Sequence, residues 1–287
     1  MRRLIVNADD LGLTPGVNRA IAEAHRSGVV TSCTLMATGA AFDDAASVAC
    51  SLGRLAIGCH VVLVDGRPVL SDEAIPDLID GASPGLFRST LASFAQRAAT
   101  GRVSAGQIEA EATAQIRKLQ AAGIAVSHLD THKHTHILPQ VLTPLLRAAR
   151  ACGVRAVRNP FEPLRLSLLV GHKELWRQFS KVALLNPLAG RFRAEVRCAR
   201  MLTCDGSIGI VTTGFLNQAL LDRLLDSLPD GTWELVCHPG YHDEDLDRVR
   251  TRLRESRLAE LQILASEQTR QSLARNGIQL ISYHDLG

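Results

Sequence analysis

Short β-type runs alternate with helical stretches along almost the whole chain, and this alternation constrains the fold more than any other feature. Leu4–Val6, Val29–Met36, Leu55–His60, Ile124–Leu129, Val154–Arg158, Ile208–Thr212, Glu234–Cys237 and Ile278–Tyr283 read as strands. Between them the pattern predicts helices over Pro15–Arg26, Phe42–Leu52, Gln107–Ala122, Val141–Ala151, Asn217–Ser227 and Asp245–Asn276. The first has proline where a helix tolerates it. In Gln107–Ala122 the residues Ile108, Ala112, Ile116 and Leu119 recur on one side, and Gly123 is a stop signal. Repeated βα units need a parallel sheet, open or closed into a barrel. A chain of 287 residues is long enough for one α/β barrel.

Two regions interrupt the rhythm. Gly66–Gly106 carries Gly, Pro and Ser and is expected to form an extended loop over one face. Phe161–Asp205 is apolar and basic, with eight Lys or Arg against four Asp or Glu. Its ordinary reading is a pair of helices packed on the sheet; the sharper one is an interfacial patch for a membrane-held substrate, since basic and apolar side chains together favour anionic lipid.

Composition excludes several function classes. With 32 Lys and Arg against 29 Asp and Glu, the net charge of +3 gives no general case for nucleic-acid binding. Seven Phe, two Trp and two Tyr are too few to pave a long sugar-binding cleft with rings. The seven cysteines are odd in number with no C-x-x-C spacing, and the apolar run after Arg2 and Arg3 is too short for a signal peptide. A cytoplasmic protein with reduced thiols and no membrane span is expected.

Ionisable residues gather where the predicted strands end. The first ends in Asn7-Ala8-Asp9-Asp10 and the third in Gly58-Cys59-His60. The fourth runs into His128-Leu129-Asp130-Thr131-His132-Lys133-His134-Thr135-His136, and later ones end near Arg158-Asn159-Pro160 and in Cys237-His238-Pro239-Gly240. In a parallel sheet these ends share the face on which such folds place their active sites. A lone histidine is most simply a core or solvated residue. Here four histidines and Asp130 fall on alternate positions, so an extended segment would put them on one side. That favours a metal site, which for catalysis needs about three protein ligands and an open position. The spacing does not choose among His132, His134 and His136. An Asx turn or helix cap explains one of Asp9 and Asp10. Two adjacent carboxylates at a buried strand end repel, a cost that a nearby cation relieves; one can ligate it while the other takes a proton from the metal-bound water. Cys59 and Cys237 each precede a histidine, so on a strand they face the core.

These blocks resemble the signatures of the YdjC-like carbohydrate deacetylases. The N-A-D-D-[FL]-G-L opening stands here as Asn7 to Leu13, the G-x-H block as Gly58 to His60, and the H-L-D-[ST]-H-x-H-x-H block as His128 to His136. The C-H-P block is Cys237 to Pro239, and a terminal S-Y-x-D-[LV] is Ser282 to Leu286. The resemblance runs from residue 3 to the end, except through Phe161–Asp205. Within the family the chain looks most like the hopanoid-biosynthesis branch, HpnK, on His60 to Leu70 (HVVLVDGRPVL) and Ile75-Pro76-Asp77-Leu78.

The resemblance implies a TIM-barrel-like (β/α) barrel, distorted from the ideal, with its active site at the C-terminal ends of the strands. Residues 1–287 would form one deacetylase domain with an insertion or lid at about 161–205. The implied reaction removes an N-acetyl group from an acetylated amino sugar with one divalent metal ion, Mg²⁺ or Zn²⁺. Carried over by position, Asp10, His60 and His132 hold the metal, Asp9 is the general base and His238 the general acid. Arg158 stands where the wider group has a catalytic Arg-x-Pro element, and His134, His136 and Asp130 are expected at the substrate. The expected substrate is N-acetylglucosaminyl-hopanoid, met at the inner face of the membrane, and the alternative is a soluble chitooligosaccharide such as chitobiose. Two readings rank lower: an iron oxygenase, which leaves Asp9 and His238 without a use, and a sugar- or lipid-binding protein without catalysis.

Overall fold

The computed structural model describes residues 1–287. Strand β1 (Arg2–Leu11) is buried along all but its first two residues, as a strand covered on both faces must be. It leads into α1 (Pro15–Arg26), which Thr14 caps by accepting the Val17 N–H and which buries Val17, Ala20, Ile21 and Ala24. There follow β2 (Ser32–Leu35), α2 (Phe42–Ser51), β3 (Ala56–Val61), a hairpin of β4 (Ile79–Asp80) and β5 (Ser83–Phe87), α3 (Leu91–Ala99) and α4 (Ala105–Ala121). Next are β6 (His128–Thr131), α5 (Pro139–Ala151), β7 (Ala156–Val157), α6 (Trp176–Leu185), α7 (Ala189–Cys198), β8 (Gly206–Ile208) and α8 (Gln218–Asp226). The chain ends with β9 (Gly231–Cys237), α9 (Glu244–Arg248), α10 (Glu255–Ala265), α11 (Glu267–Arg275) and β10 (Ile278–Ile281).

The main sheet is parallel, in the order β7-β6-β3-β2-β1-β9-β8. β1 gives one edge to β9, from Arg2 opposite Gly231 to Ala8 opposite Cys237. Its other edge is shared: β10 pairs with Arg2–Ile5 and β2 takes over from Asn7. The outer strands curl toward each other, where Ala156 bridges Leu202 and the Ser207 N–H donates to the Phe161 carbonyl. The result is a barrel-like α/β fold of seven ring strands, as expected in class, with β10 filling the space below β2. One core of 69 buried residues runs from Leu4 to Ile278 and includes Phe161, Phe179, Phe192 and Val196, so residues 161–205 pack on the same core.

Three sequence expectations need correction. Residues 66–106 are not one loop: they hold the β4–β5 hairpin and α3, elements too short for periodicity to register. Glu111 fastens the start of that region by accepting the N–H groups of Val69 and Leu70. The helix expected over Asp245–Asn276 is three helices. Ser266 caps α11 by accepting the Thr269 N–H, and residues 249–254 leave the helix to join a cavity wall, where Arg254 satisfies the Leu246 and Val249 carbonyls. The alternating His block stays extended only to Thr131. Lys133 and His134 then adopt left-handed φ of 56° and 53°, and Thr131 Oγ1 accepts the His136 N–H, which folds the segment into a tight turn. All seven cysteines are free, and Cys59 and Cys237 are in the core as expected.

A Cβ on Gly58 would lie 2.6–2.8 Å from the His128 ring. Gly58→Ala should therefore lower stability by about 1–3 kcal/mol in urea titration. Glu162 is buried under the turn after β8, accepting the Gly209 and Val211 N–H groups, and its burial raises its pKa from 4.5 to about 7. An acid whose folded pKa is the higher one holds its proton more tightly in the folded state. Its stabilisation is full below pH 4.5 and is lost as pH rises toward about 7. Glu162→Gln should remove that slope in melts across this window, so variant stability gains on wild type as pH rises.

Candidate metal centre and active site

The C-terminal ends of β1, β3 and β9, with the turn after β6, meet at the floor of a cavity of about 860 Å³. Asp9, Asp10, His60, His132, His134 and His238 all line it. Adjacent residues of a regular strand face opposite sides. Here the β1–β2 register shifts between Ala8 and Leu11, and Asp10 takes a φ of +70°, which lets both carboxylates reach the cavity. Of the five non-glycine residues with positive φ, Asp10, Asp65, Lys133 and His134 line this cavity and only Arg200 lies elsewhere. Backbone of this kind is costly and concentrates at functional sites.

Asp10 Oδ1 lies 3.5 Å from His60 Nε2 and 3.6 Å from His132 Nδ1. The two rings stand edge to face, 5.5 Å apart. His60 Nδ1 is held at 2.7 Å by Asp130 Oδ1, which fixes the ring and leaves Nε2 toward Asp10. One carboxylate oxygen and two imidazole nitrogens facing a common space, with a carboxylate behind one imidazole, fit a divalent metal. The electrostatics agree. Burial disfavours a charged His60, yet Asp130, Asp9 and Asp10 outweigh it and raise its pKa to about 9, so the site attracts positive charge. The other face of Asp10 meets Arg257, whose terminal nitrogen is 2.5 Å from Oδ2.

Asp9 is held differently. Arg158 is fully buried and reaches both oxygens of Asp9 at 2.8 and 2.6 Å, Asp130 Oδ2 at 2.5 Å and Glu234 Oε1 at 2.8 Å. Burial alone would raise the Asp9 pKa, but the guanidinium more than reverses this and holds it well below the usual carboxylate range. Thr34 Oγ1 lies within 3.3 Å of both Asp9 and Asp130, tying β2 to the same cluster. Across the cavity, His238 Nε2 is 3.9 Å from Asp9 Oδ2. Glu260 accepts the His238 backbone N–H and so fixes that turn. His134 turns into the cavity as a neutral ring, because burial and Arg158 lower its pKa to about 3.

Three expected roles shift with these positions. Asp130 and His136 are fully buried and do not line the cavity, so neither sits where a substrate contact would. Asp130 instead orients His60 and Arg158. His136 is turned inward beside Phe192, its Nδ1 2.7 Å from Thr131 Oγ1, because the turn after Thr131 breaks the alternation. Arg158 likewise lies below the cavity and acts on it through Asp9.

The model of the YdjC-like protein family matches residues 3–275. The chain belongs to the YdjC-like family. A carbohydrate deacetylase of Brevibacillus brevis is 33% identical over 99% of this chain and all of its own length. One of Mus musculus is 32% identical over 99% of this chain and 94% of its own. Among solved structures, an Enterococcus faecalis protein described as acting in cellobiose-phosphate cleavage superposes with a TM-score of 0.78 at 27% identity, covering 99% of this chain and 98% of that one.

Four side chains of this YdjC-like site escaped the sequence reading. Arg257 and Glu260 sit three residues apart on α10 and resemble a solvated face in sequence, yet both are buried. Glu234 carried a signal, as a lone acid inside the apolar strand β9, and Tyr283 another, within the terminal S-Y-x-D block. The Tyr283 hydroxyl donates to Glu234 at 2.6 Å, its ring stacks on His128 at 3.5 Å, and His128 lies 3.1 Å from Asn7, which donates to Asp9. Arg158→Met would leave Asp9, Asp130 and Glu234 without their shared cation. It should cost about 3–5 kcal/mol of stability in urea titration, the loss expected from breaking a buried ionic cluster by one partner.

Proposed function

We propose that the protein is a metal-dependent N-deacetylase that hydrolyses the acetamide of an acetylated amino sugar. The observation that carries this is the pairing of an Asp10–His60–His132 donor set with Asp9, an ionised carboxylate beside it that Arg158 prevents from turning away. When bound, the metal supplies Lewis acidity to the acetamide oxygen and lowers the cost of deprotonating water. Asp9 accepts the proton of the attacking water. His238, on the cavity wall, delivers a proton to the amine nitrogen as its bond to the acetyl carbon breaks, and acetate and the free amino sugar leave. His134 offers a neutral ring to the sugar. Phe161 is the only Phe, Trp or Tyr lining the cavity, so the sugar is held by polar contacts rather than stacking. Relatives called carbohydrate deacetylases, matching over nearly their full lengths, support the reading.

The finer reading is N-acetylglucosaminyl-hopanoid as substrate, met at the membrane surface. No helix is long and apolar enough to cross a membrane, so this contact would be peripheral. Apart from Met1, every large apolar side chain more than half exposed falls in 161–205: Leu166, Val170, Trp176 and Leu184. From the same region α6 sends Val182 and Leu185 into the cavity wall beside Lys181. The sugar-phosphate description of the Enterococcus relative favours a soluble oligosaccharide as the second reading.

Acetate release from acetylglucosaminyl-hopanoid and from chitobiose, with metal content measured on the same sample, separates the two. Preference for chitobiose would reject the lipid-linked substrate, and no acetate from either would reject the deacetylase. Asp9→Asn should lose at least about 10²-fold in turnover, the usual weight of a general base, while keeping its metal. His132→Ala should lose the metal, as read by elemental analysis. Metal retained through His134 would overturn the ligand assignment.

A further inference from the structure

The α10 helix delivers one buried cation to the metal centre, and no step above uses it. Arg257 is 1% exposed and arrives from 247 residues away in the chain. Its terminal nitrogen donates to Asp10 Oδ2 at 2.5 Å, its Nε to the Leu253 carbonyl at 3.2 Å, and its remaining nitrogen faces the His238 carbonyl at 3.5 Å. The backbone is shaped to admit it. The Gly240 N–H donates to the Arg257 carbonyl, and a Cβ on Gly240 would lie 2.9 Å from Arg257 Cδ. The side chain is therefore held along its length rather than resting against Asp10 by chance.

A carboxylate can give a metal one oxygen or two. In Asp10 the two oxygens are divided: Oδ1 faces His60 and His132, and Oδ2 faces Arg257. We propose that Arg257 is a positioning residue that keeps Asp10 a one-oxygen ligand, leaving the remaining coordination positions to water and the acetamide oxygen. This rests on the metal-site reading above. Without the arginine, Oδ2 would be a buried anionic oxygen with no partner, and the cation beside it would be the nearest relief. Asp10 would close onto the metal through both oxygens, hold it at least as firmly, and occupy a position that the reaction needs open. A merely structural arginine would act oppositely, its loss loosening Asp10 and weakening the metal.

The experiment compares wild type, Arg257→Met and Arg257→Lys, each loaded with Mn²⁺. It reads Mn²⁺ affinity by calorimetry, exchangeable metal-bound water by proton relaxation, and kcat and KM separately. For Arg257→Met we expect undiminished affinity, weaker water relaxation and a kcat lowered by about 10–100-fold, the usual effect of removing a ligand's outer partner. Arg257→Lys, which keeps the charge, should recover much of the relaxation and kcat. Affinity lowered about 10-fold or more with water relaxation unchanged would overturn the proposal, as would an unchanged kcat. If Arg257→Met does not fold, Arg257→Lys decides alone: relaxation near the wild-type value supports the proposal, and a value cut by half or more overturns it. Wild type that binds no divalent ion would instead overturn the metal site itself.

Discussion

Arg158 is a fully buried guanidinium shared by Asp9, Asp130 and Glu234, which come from three different strands. Burying such a group is expensive unless its hydrogen bonds are met, and here each terminal arm and Nε has a carboxylate. The net stability gained from such a cluster is small, although removing one partner is costly. The cluster fixes the spacing of β1, β6 and β9 at the level of the site, and two side-chain positions hang from it. Asp130 turns from Arg158 to His60 and sets which imidazole nitrogen faces Asp10. Asp9 stays ionised and stationary at the cavity floor. In the proposed mechanism a base held this way would be weak, suited to water acidified by a metal rather than to free water.

The parts of the fold legible in sequence are those with a period or a boundary residue. The βα alternation, the Pro15 start of α1 and the Gly123 stop after α4 correspond to observed elements within a few residues. The site was legible as a place, because polar residues at strand ends have few other reasons to be there. What could not be read was decided by tertiary contact. Whether residues 132–136 continue a strand or turn depends on the Thr131 hydroxyl capturing His136, a contact between residues five apart that strand spacing conceals. Arg257 and Glu260 look like solvated helix charges until α10 is seen to lean on β1 and the turn after β9.

The cavity departs from what sugar-binding sites commonly use. With Phe161 as its single phenyl, indole or phenol ring, it has little surface on which pyranose rings could stack in series. Its carboxylates and imidazoles gather at the floor, while Leu13, Met36, Ile137, Val182, Leu185 and Leu253 supply apolar wall beside Lys181 and the arginines of residues 250–254. Shape and lining together suit an acceptor that places one acetylated residue at the floor and leaves the rest of itself outside or against the wall.

The shared edge of β1 has a bearing on how the molecule is made. The strand carrying Asp9 and Asp10 is synthesised well before its neighbours β9 and β10, which lie more than two hundred residues later in the chain. Arg257 and Tyr283 arrive from the same late region. A nascent chain therefore emerges with its pair of adjacent carboxylates and its first core strand unpaired on one whole side. These wait until β9 and β10 have been made, because such long-range pairings cannot form sooner. The cluster around Asp9 and Asp10 is therefore completed late, and a chain cut short anywhere before α10 is born without it.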